Sequence, residues 1–319
     1  QGVVDSEDLP LNVSRESVQK NVLIEKIKSS LTLRVLKELE FLSEQNVEKY
    51  GKFWQTYGTL LKEGVSSDFK NKDRLKDLLR FNSSISEDSS TDVTLKDYVS
   101  RIREEQKDIF YVTGGSREAI LHNPNLEYFR RQGLEVLFLT DQIDDFMVVD
   151  LRDYDGKTLK NISQGDIEGI NDSDMSAAES SLSKEEKSDI LAFFKKQLKD
   201  RVSEVSDSKR LVDSPCSLVT PKDGMTAQME KMMKMMDQKF QGEKRNLEVN
   251  MGHPIIQNLS EILQKNKKHL FLEETVEQLY ENSLLVEGLL ENPVQILSRY
   301  QKFMESASAY ELEKLNRVE

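Results

Sequence analysis

Apolar positions recur three and four residues apart over much of the chain, which predicts a largely helical molecule interrupted by stretches of a different period. After a short extended lead, Val18, Val22, Leu23 and Ile27 repeat at helical spacing, and Ser14 stands where an N-cap would. From residue 29 to about 90 the text reads as helix throughout. Leu31, Val35 and Leu39 share one face, and Phe53, Trp54, Tyr57, Leu60 and Leu61 share another. Gly64 reads as the stop of the second helix. Leu75, Leu78, Leu79 and Phe81 mark a further short helix, broken by Ser-rich text at 83–91.

The period changes after residue 93. Thr94 with Asp97 fits a capping box ahead of a helix over 95–106. Ile109 to Val112 and Val136 to Leu139 are compact apolar runs, read as buried strands. Gly114 and Gly115 turn the chain between them, Ser116 caps a helix through Phe129, and Gly133 ends it. This strand–helix–strand succession predicts a βαβ unit with parallel strands. Asn161 to Glu185 then carries six acids, one Lys and many Ser. Such text buries too little to offset its ordering entropy and reads as a linker or long exposed loop. Ser183 with Glu186 fits a second capping box, before a helix through about Leu198. Val202 to Val205 and Leu211-Val212 read as short strands. The end is helical again, from Phe271 to Leu290, then from Asn292 as cap and Pro293 at the first helical position through about Met304.

Composition narrows the function. The 319 residues allow about two domains. Lys and Arg number 45 against 57 Asp and Glu, a net charge of −12, which repels phosphate backbones and disfavours nucleic-acid binding. The lone Cys216 excludes a disulfide scaffold and a cysteine-based zinc module. No run of 18 apolar residues is present, so no membrane partner is expected. The text opens on Gln1 inside a dense stretch, which reads as a fragment of a longer chain.

His122, His253 and His269 stand away from Cys216 and from any Gly-x-Ser-x-Gly elbow, so they read as ordinary surface or core residues, and no metal site is expected. The Gly114-Gly115-Ser116 turn lacks the glycines and Lys of a nucleotide loop and reads as a plain turn with a cap. A self-contained α/β enzyme using that turn is disfavoured accordingly. Arg15 falls in the first turn of its helix, where the dipole disfavours a cation unless an anion is in reach. A solvated or salt-bridged arginine is the ordinary reading, and an arginine finger to a nucleotide in another domain is the sharper one.

Met225, Met229, Met232 and Met236 stand at spacings of 4, 3 and 4 on one helical stripe, widened by Met233 and Met235. A buried core helix competes with an exposed, adaptable strip able to repack against many partners. In the last helices, Val276, Leu279, Ser283, Val286 and Leu290 trace one face, and Ile296, Tyr300 and Phe303 trace another. These faces pack back on their own domain or pair with a second copy as a four-helix bundle.

Gly2-Val3-Val4-Asp5-Ser6-Glu7-Asp8-Leu9-Pro10-Leu11-Asn12-Val13-Ser14-Arg15-Glu16 resembles, nearly letter for letter, the signature of the heat-shock protein 90 chaperones. Phe53-Trp54, Tyr57-Gly58, Lys62-Glu63-Gly64, Leu78-Leu79-Arg80-Phe81 and Tyr98-Val99-Ser100-Arg101 resemble that family too. So do Ile109-Phe110-Tyr111-Val112-Thr113, Glu135-Val136-Leu137, Arg210-Leu211-Val212-Asp213-Ser214-Pro215 and Gly224-Met225. The wording is nearest to the bacterial members, and covers almost the whole chain.

The resemblance implies an α+β, multi-domain piece of a dimeric ATP-driven chaperone. Residues 1–28 would end the large αβα part of the middle domain, 29–92 would be its helical segment and 93–165 its small αβα sandwich. Residues 166–185 would be a linker, and 186–319 an α+β dimerization domain closing in a helical hairpin. The nucleotide domain, with its ATP and Mg, would precede Gln1, so this chain alone should bind no cofactor and show essentially no ATP hydrolysis. Arg15 and Gln19 match the catalytic loop that reaches the ATP γ-phosphate. Asp144, Asp145, Phe146 and Met147 match a client-binding patch. Met225, Met229, Met232, Met233 and Met236 match an amphipathic client-contacting helix, and the last helices match the dimer interface. Expected partners are a second copy, partly folded client proteins and a heat-shock protein 70 type system. The end Leu315-Asn316-Arg317-Val318-Glu319 lacks the Met-Glu-Glu-Val-Asp and Lys-Asp-Glu-Leu tails, which favours a bacterial cytoplasmic origin. The rival reading is a structural dimerization module that handles no clients.

Overall fold

A computed structural model describes residues 22–86, 93–165, 180–222, 224–237 and 239–317. The chain divides after Arg80 into two compact units. Among its described residues the first holds three helices, α1 (Val22–Gln45), α2 (Val47–Ser67) and α3 (Lys72–Leu78). Asn46 caps α2 by accepting from the Lys49 amide at 3.0 Å. Gly64 does not stop α2, which runs to Ser67, and its position instead lets Leu75 approach closely. Helical spacing groups the apolar residues of these helices without choosing the inward ones. Leu36 and Leu39 are buried on α1, while Leu31 and Val35 are exposed; on α2, Tyr50, Trp54 and Val65 are buried and Tyr57 and Leu60 are exposed. The Tyr50 hydroxyl donates to the Leu78 carbonyl at 2.6 Å, and burial pushes its pKa up to about 12.

Among its described residues the second unit carries two sheets. The first sheet contains β1 (Asn82–Ser83), β2 (Asp108–Thr113), β3 (Leu137–Leu139), β4 (Asp153–Tyr154) and β5 (Lys157–Asn161), in the order β1-β3-β2-β5-β4. β2 pairs parallel with both β3 and β5, as the βαβ reading required for β2 and β3. β1 and β4 add antiparallel edges. The β4–β5 turn uses Asp155 and Gly156, both at positive φ (48° and 72°), the twist that suits a two-residue hairpin.

Around this sheet lie α4 (Leu95–Arg101), α5 (Arg117–Leu121), α6 (Glu127–Gln132) and α7 (Asp144–Leu151). Both sides of the Thr94–Asp97 capping box are present, though α4 stops at Arg101 rather than near 106. The single helix expected from Ser116 to Phe129 is broken by a 3-10 turn at Pro124–Leu126, because Pro124 cannot continue the α-helical ladder. Gly133, at φ 62°, ends α6 in the left-handed conformation. Phe110, Val112, Ile120, Phe129, Val136 and Phe138 form the core. A Cβ on Gly114 would sit 2.6 Å from Ile120, so that turn needs glycine for close approach.

The second sheet has the order β6 (Val202–Asp207), β8 (Arg245–Val249), β7 (Cys216–Val219). α8 (Lys184–Leu198), α10 (Pro254–Lys265) and α11 (Leu270–Val286) bury Phe194, Leu259, Leu272 and Val276 against Leu218 and Leu247. α9 (Ala227–Met236) and α12 (Leu297–Asn316) complete the unit. The Ser183–Glu186 capping box opens α8. Leu211 and Val212 are not a strand but part of a turn leading to β7. Pro293 starts a 3-10 turn over Pro293–Ile296 that runs into α12, with Asn292 capping it.

Candidate functional site

Arg15 and Gln19 lie outside the described residues, as does most of the expected linker. The two stretches proposed to touch clients, by contrast, are brought together. α7 begins with Asp144 and Asp145, acids in the first turn where the helix dipole favours them, and Asp144 accepts from the Asp141 amide at 2.9 Å. Asp144, Asp145 and Met147 are buried, and Phe146 is displayed at 38% exposure. Burial holds the Asp145 carboxyl above the ordinary carboxylate range, helped by the charge of Asp144; the hydroxyls of Thr226 and Thr113 and the Lys231 ammonium pull the other way.

Thr226 caps α9 by accepting from the Met229 amide at 3.2 Å. Residue 230 is then the sole buried position of α9, and it is a glutamate. Met232, Met233, Met235 and Met236 are exposed, two of them by 83% and 74%, which removes the buried-core reading of the stripe. Met225 and Met229 are half-buried. The helix is therefore turned with its charged side inward. Glu230 Oε2 meets Arg245 Nη1 at 2.6 Å, and Lys234 reaches Glu230 at 3.3 Å and Glu291 at 3.2 Å. Gly242 leaves room for this pair, since a Cβ there would fall 1.8 Å from Glu230 Oε1. Sequence reading missed Glu230 and Arg245. The available signal was an acid with Lys234 four residues on, one turn along the same helix face.

Between α7 and α9 runs a groove of about 480 Å³. Phe146, Met229, Met232 and Met235 give it an apolar lining, with Thr140, Gln142, Asp145, Gln228 and Lys231 as polar neighbours. A flexible thioether surface beside an aromatic ring fits an apolar segment of variable sequence. The expected dimer residues separate. Val276, Leu279, Ser283 and Ile296 are buried, Val286 and Tyr300 are exposed at 39% and 38%, and Leu290 and Phe303 are half-buried. α12 has no buried residue, and exposes Leu297, Met304, Tyr310, Leu312 and Leu315.

Two of the histidines serve as helix caps. His253 and His269 cap α10 and α11 by accepting from the Ile255 and Phe271 amides at 3.1 and 3.3 Å. Among the described residues no group of three or more His, Cys, Asp or Glu is placed to hold a metal, and no helix is long and apolar enough to cross a membrane.

A family model described as Hsp90 protein matches residues 1–318. The chain belongs to the Hsp90 family. Curated relatives named chaperone protein HtpG agree with it. That of Chlorobium phaeovibrioides is 41% identical over 307 residues, covering 96% of this chain and 49% of the relative. That of Chlorobaculum tepidum is 42% identical over 319 residues, with 96% and 49% covered. That of Geobacter sulfurreducens is 42% identical over 289 residues, with 90% and 44% covered. The Hsp90-family chain thus spans about half the length of these relatives.

Proposed function

We propose that this chain is the client-holding and dimer-forming part of an ATP-driven chaperone. The observation that carries the reading is the orientation of α9, which buries Glu230 and exposes four methionines, two of which, Met232 and Met235, line the groove with Phe146. Apolar side chains left open on a partly folded client would bury against that strip at roughly 25 cal/mol per Å². The acidic surface, net −12, favours clients rich in Lys and Arg. Replacing Met229 and Met232 together by Glu in the full-length protein tests this. Suppression of client aggregation is lost while the oligomeric state is kept; unchanged suppression would overturn the assignment.

The remaining assignments rest on the family relationship. Residues 1–165 would be middle domain and 186–319 the C-terminal domain. Arg15 and Gln19 would contact the γ-phosphate of Mg-bound ATP held by a preceding domain, acting by charge stabilisation of the transferred group. Cooperation with a heat-shock protein 70 system and a cytoplasmic location complete the proposal. Loss of ATP turnover in full-length Arg15→Ala supports the arginine assignment, and normal turnover refutes it.

A second reading, a dimerization module without client handling, draws on α12. A helix with no buried residue and six large exposed apolar side chains calls for a cover, and a second copy supplies one. Sedimentation at several concentrations separates the readings when combined with the methionine variant.

A further inference from the structure

The Arg210–Pro215 motif finds no use in the client groove, yet it occupies the joint between the two sheets of the second unit. From the first-sheet side, Glu127, at the start of α6, aims its carboxylate at the turn before β7. Oε2 accepts from the amides of Val212, Asp213 and Ser214 at 2.8, 2.8 and 3.2 Å, and Oε1 accepts from the Ser214 hydroxyl. From the second-sheet side, Arg210, 6% exposed, aims its guanidinium back. It donates to the carbonyls of Ile162, Gln164 and Gly165 at 2.9, 3.2 and 2.9 Å, and to Glu248 at 3.0 Å. Asn250 holds the carbonyls of Val212 and Ser214 from the opposite side, both at 3.1 Å, which keeps the turn's amides available to Glu127.

Each side thus offers one charge to three backbone groups of the other. Charge-assisted hydrogen bonds of this kind are the strong ones, and a planar fork suits several fixed carbonyls better than an ammonium does. The groove depends on this joint, because Phe146 belongs to α7 beside the first sheet and Met229, Met232 and Met235 to α9 beside the second. We infer that Glu127 and Arg210 are positioning residues that set the width of the Phe146–methionine groove by clamping the two sheets' surroundings together. The link to clients rests on the function proposed above; the clamp itself does not.

The test uses the full-length protein with spin labels at Val149→Cys on α7 and Met236→Cys on α9, labelled chains being diluted with unlabelled ones. Glu127→Gln and Arg210→Lys should each broaden and lengthen the distance distribution, and weaken suppression of client aggregation several-fold with the oligomeric state unchanged. Glu127→Asp, which keeps the charge, should recover part of both. A surface control, Glu105→Gln, should change neither. Distributions matching wild type in both clamp variants would overturn the inference. A shifted distribution with full client suppression would uphold the clamp and refute the groove as client site. Should the variants fail to fold, hydrogen exchange on the unaltered protein decides: strong protection of the amides of residues 212–214 supports the clamp, and fast exchange refutes it.

Discussion

Glu230 Oε2 and Arg245 Nη1 lie 2.6 Å apart with side chains only 5% and 4% exposed, joining the one buried position of α9 to β8. This ion pair, rather than a hydrophobic stripe, orients α9. Arg245 Nε has no hydrogen-bond acceptor among the described residues, so the arginine depends heavily on its remaining partners. Removing one member of a buried pair leaves the other uncompensated, at a cost of about 3–5 kcal/mol. Glu230→Ala should lower the thermal midpoint accordingly and expose α9 to rapid hydrogen exchange. The double variant Glu230→Met with Arg245→Leu should regain much of the stability.

Gly242 gives a finer probe of the same contact. An alanine there collides with Glu230 Oε1, and overpacking of this kind costs about 1–3 kcal/mol. Gly242→Ala is expected to destabilise the wild-type pair but to be nearly neutral in Glu230→Ala, where the obstacle is gone. A thermal-unfolding double-mutant cycle reads the difference.

Asp145 makes stability depend on pH. Burial raises its carboxyl pKa, so the folded protein holds that proton more firmly than the unfolded chain. The stabilisation is complete below the unfolded carboxylate range and disappears as pH climbs through the raised value. Each tenfold difference in proton affinity is worth about 1.4 kcal/mol. Asp145→Asn carries no such penalty, so its thermal midpoint should gain on wild type as pH rises from below the unfolded carboxylate range through the raised value. The same offset at acid and neutral pH would contradict the assignment.

Cys216 should resist alkylation. Burial pushes its thiol up to about 11, against a small opposing effect of the Ser283 hydroxyl, 3.4 Å away. At neutral pH its thiolate fraction is then on the order of 100-fold below that of a free cysteine. Maleimide should label native protein very slowly and denatured protein at one site per chain, as mass spectrometry would show.

The local signals in the text were sound where chemistry acts over a few residues. Both capping boxes, the Ser116 cap and the Gly133 stop are present because each is decided by atoms within one helical turn. The parallel pairing of β2 and β3 was legible because uninterrupted apolar runs joined by helix imply burial on both faces. The short polar strands β4 and β5, and β8 with its alternating burial, escaped notice because their partners supply most of the pattern. Which face points inward stays undecided in the text where apolar residues surround a helix. Leu31, Val35, Tyr57 and Leu60 obey helical spacing as well as Leu39 and Trp54 do, and only the third dimension chooses between them. Spacing left the methionine stripe open between core and surface, because its orientation lay in Glu230, whose partner stands fifteen residues away.

The central place of β2 in its sheet bears on synthesis. β3 follows it directly, but its other neighbour, β5, ends at Asn161. On the ribosome, β2 therefore keeps one row of peptide groups open until that last strand has left the exit tunnel. An unpaired parallel edge is an invitation to pairing with a passing chain. Translation stalled before Lys157 would thus yield a nascent chain that itself needs protection from aggregation.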